Sequence, residues 1–342
     1  MHLPTFMRAP FIDDRSEFDI AMVGVPYDGA VTNRPGARHG PREVRSASSM
    51  IRAIHPVTRL NPFELCQIGD AGDVPFENLY DIAAVHAEIE TFFRAMGDDG
   101  LTSLAIGGDH SVTLPILRAL ATEGPLGFIQ VDAHTDTWDS FMGSGLSHGA
   151  PFRRAVEEGL IDPTRTVQIG IRGAQNSMEG WDFSEATGMR VLFMDEFTQI
   201  GPEAAAKEAR NIVGDGPTYL SFDIDGLDPA FAPGTGTPEV GGLTSVEALT
   251  LLRELRGIQF LGADVVEVSP PFDPTGITAL AGATMAYELL CLLSDESSKK
   301  GAYPGGRSAA ASTHTFELHH NNLYWFRSLI DIPMEFTRRI CF

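Results

Sequence analysis

VDAHTDTWDS, residues 131–140, places Asp132, His134 and Asp136 at every second position directly after an apolar run. That run, LGFIQV at 126–131, predicts a buried strand, so the three polar side chains would lie where the strand ends. Side chains on an extended chain point the same way at every second residue, which would bring these groups together. Carboxylates buried together are costly unless a cation compensates their charge. The stretch therefore predicts a metal site at the rim of a sheet.

The rest of the chain alternates short apolar strands with amphipathic helices. Its pattern predicts strands at 18–26, 65–74, 101–108, 126–134, 166–173, 189–197, 217–225 and 258–270. It predicts helices at 41–52, 78–96, 113–124, 150–160, 202–215, 245–257 and 278–294. Such alternation is typical of a parallel sheet covered by helices on both faces. The expected fold class is therefore α/β.

The domain organisation follows from where this pattern stops. We expect one domain over residues 1–294, with 1–17 as an N-terminal arm. After Ser294 the sequence becomes rich in Ser, Gly, Ala and Lys, and the composition of residues 295–314 predicts a flexible segment. The aromatic remainder, 315–342, predicts a segment that docks on its own domain or on a neighbouring subunit.

The bulk composition limits the partners. With 46 acidic and 25 basic residues, the formal net charge is -21, which disfavours nucleic acid as a partner. This charge suits a cationic substrate or a metal ion, although it can also serve solubility alone. Three cysteines (Cys66, Cys291 and Cys341) lack metal-site spacing and predict reduced thiols in a cytoplasmic protein. No signal peptide or bilayer-spanning apolar run is recognisable, so no membrane partner is expected.

Other predicted strand ends carry further polar groups: His110 in GGDH, Asp223 and Asp225 in SFDIDGLDP, and Glu267 in EVSPP. His148 lies in the loop SGLSHGAPF. Ligands of open parallel sheets bind beyond the carboxyl ends of the strands. A single D-x-D is commonly a turn or a helix cap, and a single GGDH can be a glycine turn. Together, four carboxylates and two imidazoles provide ligands for two divalent ions, with two carboxylates able to bridge.

GGDH, DAHTD and SFDIDGLDPAFAPGTGTPEVGGLT resemble the signatures of the ureohydrolase family, which includes arginase and agmatinase. The resemblance covers residues 18–294 and is nearest to guanidinobutyrase, guanidinopropionase and agmatinase. It implies an arginase/deacetylase-like fold, with three α/β/α layers around a parallel sheet of about eight strands. It also implies two divalent metal ions per chain. Oxygen-rich ligation favours Mn²⁺, with Ni²⁺ and Co²⁺ as alternatives because of the two imidazoles.

Carried over residue by residue, the resemblance implies two ligand sets that share Asp132 and Asp223 as bridges. One ion would be held by His110, Asp132, Asp136 and Asp223, and the other by Asp132, His134, Asp223 and Asp225. The implied activity is that of a hydrolase of C–N bonds in linear amidines. A metal-bridging hydroxide would attack the guanidino carbon of a small cationic substituted guanidine, giving urea and an amine.

Three catalytic roles follow from the same resemblance. His148 would protonate the departing amine, and Asp136 would accept a proton from the hydroxide. Glu267 would align the guanidinium by charge-assisted hydrogen bonds. The simpler alternatives are a backbone-bonded loop histidine for His148 and, for Glu267, an ion pair with an arginine of RPGARHGPR, residues 34–42.

The substrate end is expected in loops 28–40, 137–148 and 174–182, with Trp138, Asn176 and Trp181 binding substrate beside Glu267. Their aromatic character suits a methylene chain or a compact alkylated guanidine, and packing alone explains it equally well. Arginases usually carry asparagine where this chain has Trp138, which disfavours arginase. The alternatives left open are a compact alkylguanidine, free guanidine or a biguanide as substrate.

The resemblance also implies a homo-oligomer, a trimer or hexamer. Because the segment after Ser294 is unusually long for the family, a hetero-oligomer with a related subunit is the alternative, with this chain as its supporting metal-containing subunit. A deacetylase-like amide hydrolase with a single zinc ion is a further class, but that group lacks the six-ligand set.

Overall fold

A computed structural model describes residues 4–300, apart from the side chain of Lys300. Eight strands form one parallel sheet in the order β2-β1-β3-β8-β7-β4-β5-β6. Their bounds are β1 Ile20–Gly24, β2 Ile68–Asp73, β3 Thr102–Ile106, β4 Leu126–Val131, β5 Ile161–Ile171, β6 Arg190–Phe193, β7 Thr218–Asp223 and β8 Phe260–Val266. The predicted α/β class and parallel sheet are confirmed. The predictions for residues 301–342, including Cys341, lie outside the described residues.

Helices cover both faces of this sheet and complete the three layers. Their bounds are α1 Gly40–Ser48, α2 Pro62–Leu65, α3 Ile82–Asp98, α4 Thr113–Leu120, α5 Pro151–Glu157, α6 Glu179–Thr187, α7 Met194–Ile200, α8 Pro202–Val213, α9 Ser245–Glu254 and α10 Ile277–Lys300. One apolar layer includes side chains of α1, α8, α9 and α10, and the other includes side chains of α3, α4 and α5. Because both faces are covered, a central strand such as β4 is buried at every position.

Three local predictions need correction. The strand predicted over 189–197 ends at Phe193 and continues as α7, whose first turn carries Asp195 and Glu196, where acidic groups favour a helix N-terminus. Part of the predicted loop 174–182 belongs to α6. Helix α10 runs past Ser294 to Lys300, so the first residues of the predicted flexible segment are helical.

Helix α10 is long and apolar enough to cross a membrane by length and composition alone. However, 78% of its most apolar stretch is buried inside the protein. Its buried side chains, such as Leu289 and Leu290, belong to one of the two core layers. We therefore interpret α10 as a core helix. The thiols of Cys66 and Cys291 are also buried and free.

The strand order brings the predicted site residues together. β3, β8, β7 and β4 are consecutive neighbours at the centre of the sheet, although they are distant in sequence. All four run in parallel, so the segments that follow their carboxyl ends meet at one edge. Gly108 permits this approach beyond β3, since a Cβ there would lie 1.6 Å from the carbonyl oxygen of Tyr27. The central edge of the sheet is therefore where a site can form.

The buried side chain of His86, on α3, generates a prediction about acid stability. Neither ring nitrogen has a hydrogen-bond partner, and burial, aided by the charge of Arg118, lowers the pKa of His86 to about 4. An unfolded histidine has a pKa near 6.5. Between about pH 6.5 and pH 4 the unfolded chain therefore binds a proton that the folded chain does not, so the free energy of unfolding decreases as the pH is lowered. At pH 5 the loss is about 2 kcal/mol.

We expect His86→Leu to remove this loss. The measurement is the free energy of urea unfolding at pH 7.5 and pH 5, compared between wild type and variant. His39, which is exposed, provides the control as His39→Leu. Equal acid destabilisation of wild type and His86→Leu would contradict the prediction.

Candidate metal centre

Turns of the backbone bring the candidate metal-ligating side chains together. β4 ends at Val131, and the Asp132 Oδ1 atom accepts the backbone N–H of His134 at 2.6 Å. Asp223, the last residue of β7, accepts the N–H of Asp225 on its Oδ1 atom at 2.8 Å. The expectation that strand alternation aligns these side chains is therefore wrong. A carboxylate that binds the N–H two residues later folds the chain back and brings both side chains towards the same point.

The first cluster surrounds the ring of His110. Its Nδ1 atom lies 3.1 Å from Asp132 Oδ2, 2.9 Å from Asp136 Oδ2 and 3.1 Å from Asp223 Oδ2. Nδ1 is buried and has no hydrogen-bond partner. Ligand atoms about 2.1 Å from one ion and at right angles to each other are about 3 Å apart. An orphaned ring nitrogen facing three carboxylate oxygens thus fits a divalent ion.

The second cluster is built on His134. Its Nδ1 atom lies 3.5 Å from Asp132 Oδ1 and 3.2 Å from Asp225 Oδ2, and these three residues can hold an ion together. Asp132 therefore presents one oxygen to each cluster, as a bridging ligand would. Asp223 belongs to the first cluster through Oδ2, whereas its Oδ1 atom accepts the Asp225 N–H.

Negative charge accumulates at this centre. Burial and neighbouring carboxylates raise the pKa of Asp223 and Asp225. Burial, with the charge of Asp132, raises the pKa of Asp136 to about 6. Burial also opposes ionisation of Asp132, but contacts with His110 and His134 hold its pKa below the usual range. Divalent ions would relieve this repulsion, so the donor set fits cations by charge as well as by geometry.

Backbone strain is concentrated at two of the predicted catalytic residues. Asp136 has a φ of 51° and Glu267 has a φ of 63°, both in the left-handed region that favours glycine. Such conformations cost about 1–3 kcal/mol and persist where surrounding structure holds them. Here the strain turns both carboxylates into the space between the strand ends.

A buried hydrogen-bond chain fixes the ring of His110 from behind. Its Nε2 atom lies 2.8 Å from Ser221 Oγ, and Ser221 donates to Asp264 Oδ1 at 2.6 Å. Asp264 also accepts from Thr113 and Tyr219. Because the hydroxyl proton of Ser221 is donated to Asp264, Ser221 Oγ accepts a hydrogen bond from His110 Nε2–H. The proton of the neutral ring is then on Nε2, and the lone pair of Nδ1 is available to a metal.

His148 and Glu267 form a buried pair beside the clusters. His148 Nδ1 lies 2.8 Å from Glu267 Oε1, which also accepts the backbone N–H of His110 at 2.9 Å. Glu267 Oε2 is buried and has no hydrogen-bond partner. Glu267 therefore does not make the arginine ion pair considered as its alternative, and one of its oxygens is free to accept a ligand N–H.

A cavity of about 370 Å³ is lined by His148 and by the candidate ligands His134, Asp136, Asp223 and Asp225, whereas Glu267 lies outside its lining. Trp138 lines it and stacks on Phe141, with the ring centroids 5.6 Å apart. Asn176 and Trp181, which the sequence predicts as substrate-binding residues, do not line this cavity. Asn176 is exposed, and Trp181 lies in the first turn of α6, where it packs edge-on against Phe193.

Several groups around the centre were missed at the sequence level. They are Thr32, Gln175, Thr237 and Glu239 in the cavity wall, and Ser221, Asp264, Gln130 and Gln168 behind the ligands. The available signal was a polar residue inside an otherwise apolar strand, as with Asp264 in FLGADVV. Such a residue must find a buried partner.

Ser221 provides a test of the hydrogen-bond chain. We expect Ser221→Ala to weaken metal affinity about 10- to 100-fold, since supporting partners of a metal-bound histidine typically contribute that much. The measurement is competitive titration of Mn²⁺ against a chromogenic chelator. Ser103→Ala is the matched control, because Ser103 is a buried strand serine whose hydroxyl has no partner. Equal affinities for Ser221→Ala and the control would refute the proposed role.

Comparisons with known proteins agree with this geometry. The model of the arginase family matches residues 18–291. Guanidinopropionase of Pseudomonas aeruginosa is 55% identical over 87% of this chain and 93% of that protein, and guanidinobutyrase of the same organism is 45% identical over 85% and 92%. The solved structure of proclavaminate amidino hydrolase from Streptomyces clavuligerus has a TM-score of 0.82 at 40% identity, covering 86% of this chain and 98% of that one. The chain therefore belongs to the arginase family, and it is a hydrolase of guanidino C–N bonds.

Proposed function

We propose that this protein hydrolyses a small substituted guanidine to urea and an amine with the aid of two divalent metal ions. The observation that carries the proposal is the sharing of Asp132 between two clusters of ligating atoms, one of which contains the orphaned Nδ1 of His110. When bound, two divalent ions would supply hydroxide as a nucleophile at neutral pH. Mn²⁺ is the first candidate, with Ni²⁺ and Co²⁺ as alternatives.

The chain's own residues supply orientation and proton transfer. Glu267 does not line the cavity, but its Oε2 atom has no hydrogen-bond partner, and it would accept guanidinium N–H groups of a planar cation bound beside His148. His148, bonded to the other oxygen of Glu267, then lies beside the nitrogen that must leave and gives it a proton. Asp136 lines the same cavity and takes up the proton that the water nucleophile releases.

The choice of substrate follows from the cavity and the relatives. The aspartates that line the cavity suit a guanidinium cation. Trp138 and the half-buried Gln175 line the same cavity, which has room for a short chain. The most similar relatives described above are named for guanidinopropionate and guanidinobutyrate hydrolysis. We therefore propose a short-chain guanidino compound as substrate, with compact alkylguanidines, free guanidine and biguanides as the alternative set.

If this chain were a supporting, non-catalytic subunit, we would expect the proton donor His148 or the guanidinium acceptor Glu267 to lie away from the candidate metal ligands. His148 and Glu267 are instead bonded to each other at 2.8 Å beside the candidate ligands. This arrangement favours an active chain.

A urea-release screen tests the proposed function. The purified protein, loaded separately with Mn²⁺ and Ni²⁺, is offered 3-guanidinopropionate, 4-guanidinobutyrate, agmatine, arginine, methylguanidines, free guanidine and biguanides. We expect the highest kcat/KM with a short guanidino acid and loss of urea release on chelation. Absence of urea from every substrate with either metal would reject the function, and full activity after complete metal removal would reject the metal requirement.

Ion counting tests the shared ligand. We expect about two ions per chain in the wild type, loss of both in Asp132→Ala, and retention of one in Asp225→Ala, because Asp132 is the one residue within 4–300 whose side chain contacts both clusters. The measurement is elemental analysis of dialysed, folded protein. Equal ion contents in the two variants would show that Asp132 is not the bridge. The resemblance makes the further prediction that Asp223→Ala also loses both ions.

A further inference from the structure

Both ring nitrogens of His148 have hydrogen-bond partners, and the partners of the two nitrogens require different protonation states. Nδ1 lies 2.8 Å from Glu267 Oε1, a carboxylate oxygen that requires a proton on this nitrogen. On the other side, Nε2 receives the backbone N–H of Thr32 at 3.0 Å. That contact requires a lone pair on Nε2, so it favours the neutral ring with its single proton on Nδ1.

A neutral ring of this kind cannot act as the acid. If its only proton, on Nδ1, went to the leaving amine, the product would be an imidazolate, which does not form near neutral pH. A useful proton donor needs a second proton on Nε2 before transfer. The surrounding charges support that second proton, because Glu267, Asp136 and Asp109 all favour the charged ring. Although burial opposes them, they raise the pKa of His148 to about 9.

The side chain of Thr32 reconciles the two demands. Its Oγ1 atom lies 2.7 Å from the same Nε2. A hydroxyl can accept a hydrogen bond from a protonated Nε2 and can donate one to an unprotonated Nε2. The backbone N–H of the same residue can only donate. Thr32 Oγ1 is therefore the one contact of Nε2 among the described residues that suits both states of the ring.

We propose that the Thr32 hydroxyl is a positioning group that makes His148 competent as the proton donor. In the charged ring, Nδ1–H donates to Glu267 Oε1 and Nε2–H is held by Thr32 Oγ1 at the cavity wall. As the C–N bond breaks, its electron pair goes to the leaving nitrogen, which takes the Nε2 proton. The ring is left neutral with its proton on Nδ1, still donating to Glu267, and Nε2 accepts the N–H of Thr32 until it regains a proton from solvent. This inference rests on the proposed urea-forming function.

The loop that carries Thr32 is well held. Asp28 Oδ2 accepts the N–H of Gly36 at 2.7 Å and so closes the loop. The N–H of Ala30 donates to buried Asp109 at 2.9 Å, and the Ala30 carbonyl accepts the N–H of His148 at 3.0 Å. These three hydrogen bonds support the position of the hydroxyl against the ring, and none of them uses the side chain of Thr32.

The test compares Thr32→Val with Thr32→Ser, using Thr91→Val as a matched control. Thr91 is exposed on α3 and its hydroxyl bonds only the carbonyl of Ala87. In the metal-loaded enzyme we expect Thr32→Val to lower kcat about 10- to 100-fold, part of the general-acid contribution, with little change in KM. Thr32→Ser should retain most of the activity. If Thr32→Val does not fold, Thr32→Ala replaces it.

A second measurement separates this inference from the proposed function. Deuterium exchange at the C2 position of His148, followed by mass spectrometry in metal-free full-length protein, reports the ring pKa without any substrate. We expect that pKa to be lower in Thr32→Val than in wild type and Thr32→Ser. An unchanged pKa would overturn the inference, as would equal kcat losses in the Val and Ser variants or wild-type kcat in Thr32→Val. If the wild type releases no urea, the proposed function fails while the exchange result still tests the role of Thr32.

Discussion

The concentration of buried negative charge at the centre of the sheet is the constraint on which the rest of the site depends. Asp132, Asp223 and Asp225 are almost fully buried, and their oxygens surround only two imidazoles. Carboxylates so close together cannot all ionise without a counter-charge. Because these residues lie at the carboxyl ends of β4 and β7, which are adjacent in the sheet, the fold itself imposes this proximity. Bound cations would therefore contribute to the stability of the folded state as well as to the chemistry.

The surrounding structure holds the candidate ligands against this repulsion. Gln130 donates to Asp132 Oδ2 at 2.7 Å and accepts from Gln168 on the neighbouring strand at 2.6 Å. Ser221 and Asp264 do the equivalent for His110. These groups are buried, and their hydrogen bonds are with the candidate ligands, with each other and with neighbouring buried residues, so each would be costly to leave unpaired. The ligands are therefore positioned by a polar layer that is as buried as the apolar core around it.

The sequence predicted the alternating strands and helices, and it predicted the histidines and aspartates that the structure brings together in the two clusters, because both depend on local patterns. It did not predict contacts between distant segments. Asp264 is a single polar residue in an apolar strand, and only the strand order shows that it supports His110 through Ser221. The position of Trp181 outside the cavity lining was not predictable for a related reason. An aromatic residue in a loop-like stretch does not reveal which side it packs on, and α6 turns it onto Phe193.

The candidate ligands and the rest of the cavity wall belong to different parts of the fold. The ligands follow the ends of central strands, whose register and packing leave little freedom. The cavity wall that contacts the rest of a substrate, including Trp138 and Gln175, lies on loops that tolerate change. Thr32 belongs to such a loop, yet it contacts His148 directly. A change in that loop can therefore alter proton transfer as well as binding, so substrate choice and catalytic rate are not independent in this site.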